Sequence, residues 1–184
     1  MTWPRATGRG WADPRGTEVS RKSPLWAPWR MEYVGDHRDR DCIFCLPEGS
    51  DSDRKRQVLY RGARAFVLLN RFPYAPGHLM VAPFRHTGKL HELGCEDREE
   101  SMELIAQSSR ILEEAYRCEG LNVGANLGEA AGAGFAEHLH FHLVPRWSGD
   151  INFMTTLADT RVIPQHLEQS YAELAPRFAA LPGP

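Results

Sequence analysis

Residues 138–142 read His-Leu-His-Phe-His, and this strict alternation constrains the fold more than any other stretch of the chain. A period of two belongs to a β-strand, where successive side chains leave on opposite faces of the sheet. His138, His140 and His142 therefore share one face, and Leu139, Phe141 and Leu143 share the other. At a rise of ~3.3 Å per residue, neighbouring imidazoles are rooted about 6.6 Å apart. The expectation is that the apolar face enters a core and the other presents a row of imidazoles. The chain holds 8 histidines, so three in one register exceed what a merely solvated strand face produces. Two chemistries use such a row. Paired imidazoles can hold one metal ion, or a neutral imidazole can attack phosphorus while its neighbours hold the phosphoryl oxygens.

The rest of the chain sets the frame. Its 184 residues suit one domain with tails. Hydrophobic residues at 42% and charged residues at 25% are ordinary for a globular protein. No apolar run reaches the ~18 residues that span a bilayer, so no membrane role is expected. The first 30 residues show no apolar leader pattern. Four cysteines in such a chain point to thiols or a metal in a reducing cytoplasm. The net charge of −2 divides into +4 over residues 1–30 and −6 over the remainder, and an acidic body argues against general nucleic-acid binding.

Residues 1–24, rich in Arg, Gly, Pro, Ser and Thr, read as a disordered basic arm, and residues 25–184 as a single domain with a C-terminal helical extension. The apolar segment 25–34 is expected to dock on the body or on a second subunit. Residues 48–56 read as a polar loop. Strands are expected at 58–60, 65–70, 78–82, 122–127 and 138–144. An amphipathic helix is expected over 96–118, with Met102, Ile105, Leu112 and Tyr116 inward and Gly120 as its stop. A second is expected over 163–181, with Leu167, Tyr171, Leu174 and Phe178 on one face and Pro176 kinking or ending it. Strands with segregated helices make an α+β fold.

The triad row, followed by Leu143-Val144-Pro145-Arg146, resembles the histidine-triad (HIT) nucleotide hydrolases and transferases over roughly residues 42–150. Pro28-Trp29-Arg30-Met31-Glu32-Tyr33, Asn126-Leu127-Gly128 and Pro145-Arg146-Trp147-Ser148-Gly149-Asp150 are most similar to the bacterial diadenosine tetraphosphate phosphorylase branch. The resemblance implies a five-stranded antiparallel sheet with two main helices, extended by pairing into a homodimer or a higher homo-oligomer. It implies cleavage of dinucleoside polyphosphates at the α-phosphorus through a nucleotidyl-histidine. His140 would be the nucleophile, His142 would donate to the α-phosphate oxygens, and His138 would complete the row. Asn70 matches a ribose contact, Asn126 a phosphate contact, Gly134 and Phe135 the phosphate loop, and Trp147 a substrate-side tryptophan. His78 would only brace the triad strand.

Cys42-Ile43-Phe44-Cys45 is half of a tetrahedral zinc site, though two unligated core thiols fit the same spacing. The resemblance implies closure by His86 and His138, giving a structural zinc with no open position. His37 and His91 are alternative ligands, and Cys95 and Cys118 read as core thiols. Two other functions compete with nucleotidyl transfer. One is a zinc-dependent hydrolase in which His138 and His140 hold a catalytic metal. The other is a non-catalytic nucleotide-binding module.

Overall fold

Residues 42–150 and 166–183 are described in a computed structural model. The basic arm, segment 25–34, His37 and the expected first turn of the last helix lie outside the described residues.

The expected α+β architecture is present. Five antiparallel strands, β1 (Val58–Arg61), β2 (Ala65–Leu69), β3 (Leu79–Pro83), β4 (Gly120–Gly124) and β5 (Phe141–Arg146), form one sheet in the order β1-β2-β3-β5-β4. A single-turn helix α1 (Asp53–Arg56) stands where a polar loop was expected, and Arg61 clamps its Asp53 bidentately at 2.7 and 2.9 Å. Helix α2 (Cys95–Tyr116) follows β3 and helix α3 (Leu167–Ala179) ends the described chain.

Both helices cover one side of the sheet. Val67, Leu69, Leu79, Val81 and Leu143 pack there against Leu104, Ile105, Ile111 and Leu112 of α2 and Leu174 and Phe178 of α3. Met102 is the exception to the expected inward stripe and stands 60% exposed. Gly120 does not stop α2. Arg117 takes the left-handed conformation at φ 48°, its N–H bonding the Glu113 carbonyl at 2.9 Å, and Gly120 instead opens β4. Helix α3 continues past Pro176 to Ala179. Proline forfeits one backbone hydrogen bond there, and the burial of Leu174 and Phe178 on either side holds the last turn in place. Cys95 is exposed and Cys118 half-buried, so neither is a core thiol.

The opposite side of the sheet carries a second core of Phe66, Leu68, Met80 and Ala82, closed by Phe44 with flanking contributions from Cys42, Leu46 and Phe135. This is the imidazole face, since His142 lies opposite Met80. The row is thus not on a wet surface: His138 and His140 are buried and His142 half-buried. Hydrogen bonding differs along it as well. The β5 ladder begins only at Phe141, and the segment before it is tied by the Leu139 N–H to the Thr87 carbonyl at 2.7 Å. A Cβ at Gly88 would come within 2.0 Å of the Ala136 carbonyl, so that close approach requires glycine. β4 begins two residues earlier than expected and ends at Gly124, leaving Asn126 in the following loop.

Candidate active site

His138 occupies the closed end of the row. Its Nε2 lies 2.8 Å from the Pro83 carbonyl, which accepts the ring N–H and leaves Nδ1 as a lone pair. That lone pair sits 3.3 Å from Cys42 Sγ, 3.9 Å from Cys45 Sγ and 3.3 Å from His86 Nδ1. Cys45 Sγ and His86 Nδ1 are also 3.3 Å apart. All four donor atoms lie within 4.8 Å of one another. The knuckle closes through the Cys45 N–H on the Cys42 carbonyl at 3.1 Å. Burial pushes the Cys42 thiol up to about 11, a cost that a cation between the sulfurs would offset. Two sulfurs and two imidazole nitrogens match the tetrahedral donor set of zinc, and a carbonyl orienting the distal ring nitrogen is the usual second partner of a metal-binding histidine. His140 is outside this group of donors.

His140 is fixed by the next peptide. Its Nδ1 donates to the carbonyl of His138 at 2.8 Å, so Nε2 carries the free lone pair. Phe44 stacks on the ring at 4.5 Å between centroids and 22° between planes. The same phenyl lies 5.4 Å from the His138 ring and meets Phe135 edge-on at 6.0 Å. Burial pushes the His140 pKa below the ordinary histidine value, which keeps the ring neutral.

His142 is set by a chain of donors that starts in the backbone. The Tyr74 N–H donates to His78 Nδ1 at 3.0 Å, so the His78 proton is on Nε2. That N–H points at His142 Nδ1, 3.0 Å away, and so assigns the His142 proton to Nε2. Burial, with His142 and His140 adding to it, pushes His78 down to about 3. Burial and then His140 push His142 down to about 4. Both rings are therefore neutral near pH 7, and His142 is a neutral donor rather than an imidazolium.

The other expected site residues divide. Asn70 lies beside His78: its Oδ1 accepts the Phe72 N–H at 2.9 Å and its Nδ2 lies 3.4 Å from His78 Nε2. Asn126 donates to the Gly132 carbonyl at 3.2 Å and lines a cavity of about 320 Å³ with His142, Tyr74, Asn122, Val144 and Arg146. Gly134 is exposed in the loop before the triad, and Phe135 packs against Phe44. Trp147 is not brought to this cavity. Its indole N–H donates to the Tyr116 carbonyl at 3.3 Å and so satisfies the end of α2.

Three contributions escape a reading of the sequence. Phe44 sits inside the cysteine knuckle, where the flanking thiols draw the attention. The part played by Tyr74 is a backbone N–H, which no side chain advertises. His78 does more than brace a strand, and its position directly after Pro76-Gly77 was the available signal. Gly77, at φ 73° and with the Tyr116 ring 2.6 Å from where a Cβ would stand, delivers His78 into β3.

Comparison with known proteins agrees with this geometry. The family model described as HIT domain matches residues 52–149. A protein named AP-4-A phosphorylase from Mycobacterium tuberculosis is 39% identical over 168 residues, covering 86% of this chain and 85% of that one. Among solved structures, a hypothetical histidine triad nucleotide-binding protein from Sulfolobus tokodaii superposes with a TM-score of 0.58 at 23% identity, covering 75% of this chain and 92% of that one. A Zn-bound histidine triad family protein from Mycobacterium smegmatis gives 0.55 at 24%, covering 83% and 92%. With more than half the chain matched and a relative spanning most of its length, this protein belongs to the HIT domain family.

Proposed function

We propose that the chain is a nucleotidyl-transfer enzyme that cleaves diadenosine tetraphosphate or related dinucleoside polyphosphates at the α-phosphorus. The observation that carries this reading is the His140 Nδ1–H bond to the His138 carbonyl, which leaves Nε2 neutral and unshared. The 39% identical relative named AP-4-A phosphorylase supports the substrate class and the phosphorylase branch.

In this reading His140 Nε2 bonds to the α-phosphorus as the bond to the bridging oxygen breaks, and the nucleoside polyphosphate departs with the electron pair. The ring turns cationic, and its N–H bond to the His138 carbonyl strengthens as charge develops. His142 donates its Nε2 proton in a hydrogen bond to the α-phosphate oxygens, countering their negative charge in the transition state. Orthophosphate or water then attacks phosphorus and frees His140. Asn70 serves the ribose, and Asn126, Gly134 and Phe135 serve the phosphate side. Trp147 contributes through the helix end it holds.

Cys42, Cys45, His86 and His138 would hold one structural zinc, which when bound draws the knuckle onto the start of the triad segment. The position of His140 outside that donor group favours this over a catalytic zinc held by His138 and His140. Two thiols kept as metal ligands suit the cytoplasm, and no helix among the described residues is long and apolar enough to cross a membrane. The outer edge of β4, with Val123 48% exposed, supports sheet extension in a homodimer.

Rapid quenching of radiolabelled diadenosine tetraphosphate is expected to trap acid-labile label on His140. The products should be ADP plus ATP with phosphate present, against AMP plus ATP if water is the acceptor. Full turnover by His140→Ala would overturn the reading.

A further inference from the structure

The imidazole face is covered unevenly on the two sides of β5. Over β2 and β3 it is filled by Phe66, Leu68, Met80 and Ala82 beneath Phe44. Over β4 it is bare. Gly120, Asn122 and Gly124 lie opposite Arg146, Val144 and His142 respectively, and paired residues in an antiparallel ladder share a face. A Cβ built on Gly120 or Gly124 would meet nothing within 4 Å, and neither residue has a positive φ. Among the described residues neither packing nor backbone conformation therefore calls for glycine at these two positions, and a glycine inside a strand can mark the close approach of a ligand or of another backbone. The result is a trough of about 320 Å³ that starts at His142 and ends at Arg146. Tyr74, Asn122, Asn126 and Val144 line it between these ends. The Arg146 guanidinium donates to Asp150 at 2.9 Å.

We infer that this trough receives the nucleoside of the departing nucleoside polyphosphate. The inference rests on the nucleotidyl-transfer reading. With the transferred nucleotide anchored beside Asn70 on the β2 side and its phosphorus at His140, the uncovered direction across the sheet is over β4. The lining suits a purine nucleoside: apolar Val144 and the Tyr74 ring for the base, a guanidinium plane for stacking, and the Asn122 amide for a base edge or ribose hydroxyl. A leaving group with a second nucleoside is thus distinguished from one without.

The test uses two substrates that load the same AMP on His140 and differ only in what leaves: diadenosine tetraphosphate, which expels ATP, and adenosine 5′-phosphoramidate, which expels ammonia. Gly124→Val fills the trough with a residue suited to a strand. Asn122→Ala removes the amide without adding bulk, so the question stays decidable if the valine variant misfolds. In either variant the ratio of kcat/KM for the dinucleotide to that for the phosphoramidate is expected to fall at least tenfold. A ratio within twofold of the parent in both overturns the trough. If the parent protein cleaves neither substrate, the nucleotidyl-transfer reading fails on its own, and ATP titration of ¹⁵N-labelled protein decides the trough. Movement of the Asn122 side-chain amide signal (the one missing from Asn122→Ala) sustains it, and a signal that stays still overturns it.

Discussion

His138 and His142 stand at opposite ends of one alternating row, yet their surroundings share almost nothing. His138 is fully buried, gives one ring nitrogen to a carbonyl and turns the other toward three side chains that could share a metal with it. His142 is half-buried, accepts a hydrogen bond from His78 and opens onto a cavity. What separates them is the partner of the second ring nitrogen, because that partner decides whether the first presents a lone pair or a proton. Identical residues in one register thus meet three different surroundings: a cluster of potential metal ligands, a backbone carbonyl and the ring N–H of His78.

The sharpest way to break this comparison is to truncate each end. His142→Ala is expected to lower kcat/KM by roughly 10²–10³-fold, the usual cost of losing an oxyanion donor, with little change in Tm. His138→Ala should instead abolish stoichiometric zinc in elemental analysis and lower Tm by about 10 °C, since it removes a ligand and empties a fully buried site. If the alanine at 142 unfolds the protein and the one at 138 only slows it, the division of labour is wrong.

Phe44 links the two halves, because it leaves the knuckle and lies flat on His140. Phe44→Leu keeps the burial and loses the plane. A fall of about 10-fold or more in kcat with KM nearly unchanged is expected, since misplacing a nucleophile by a fraction of an ångström is costly. Restoration by Phe44→Tyr would mark a positioning effect.

A smaller effect tests the relay. His78→Gln removes the donor that fixes the proton of His142, and a loss of about 10-fold in kcat/KM is expected, with the His142 ring nitrogens changing their NMR shifts.

The smallest effect is on stability against pH. Burial pushes His78 down to about 3 and His142 down to about 4 in the folded chain, against the ordinary value near 6.5 when unfolded. Below 6.5 the unfolded chain takes up protons that the folded one refuses. Stability contributed by these rings is therefore complete above pH 6.5 and lost as pH falls through 4 toward 3. The titratable and charged groups facing them are His140 on β5, the Tyr74 phenol and Arg146. Denaturant titrations of the parent and His78→Gln should converge as pH drops from 6.5 to 4, and parallel curves would refute the assignment.

Much of this was legible in the sequence because it depends on side-chain identity at fixed spacing. The period of two gave the strand, and Cys42, Cys45, His86 and His138 do converge. What stayed hidden depends on what lies across from a residue. Burial of the row comes from Phe44, 96 positions before His140, and no local periodicity encodes such a contact. Gly120 looked like a helix stop, whereas Arg117 accepted the strained φ and freed that glycine for β4. Pro176 looked like a helix end, whereas burial on either side of it outweighed one lost hydrogen bond.

His138 serves two neighbours with different parts of itself, its ring for the knuckle and its peptide oxygen for His140. Every amino acid supplies that oxygen. A lineage could therefore discard the thiols and swap the imidazole at 138 for another side chain, while the His140 ring next door kept its orientation. The proposed catalytic and metal-binding roles are thus free to evolve apart, because the wire between them runs through the main chain.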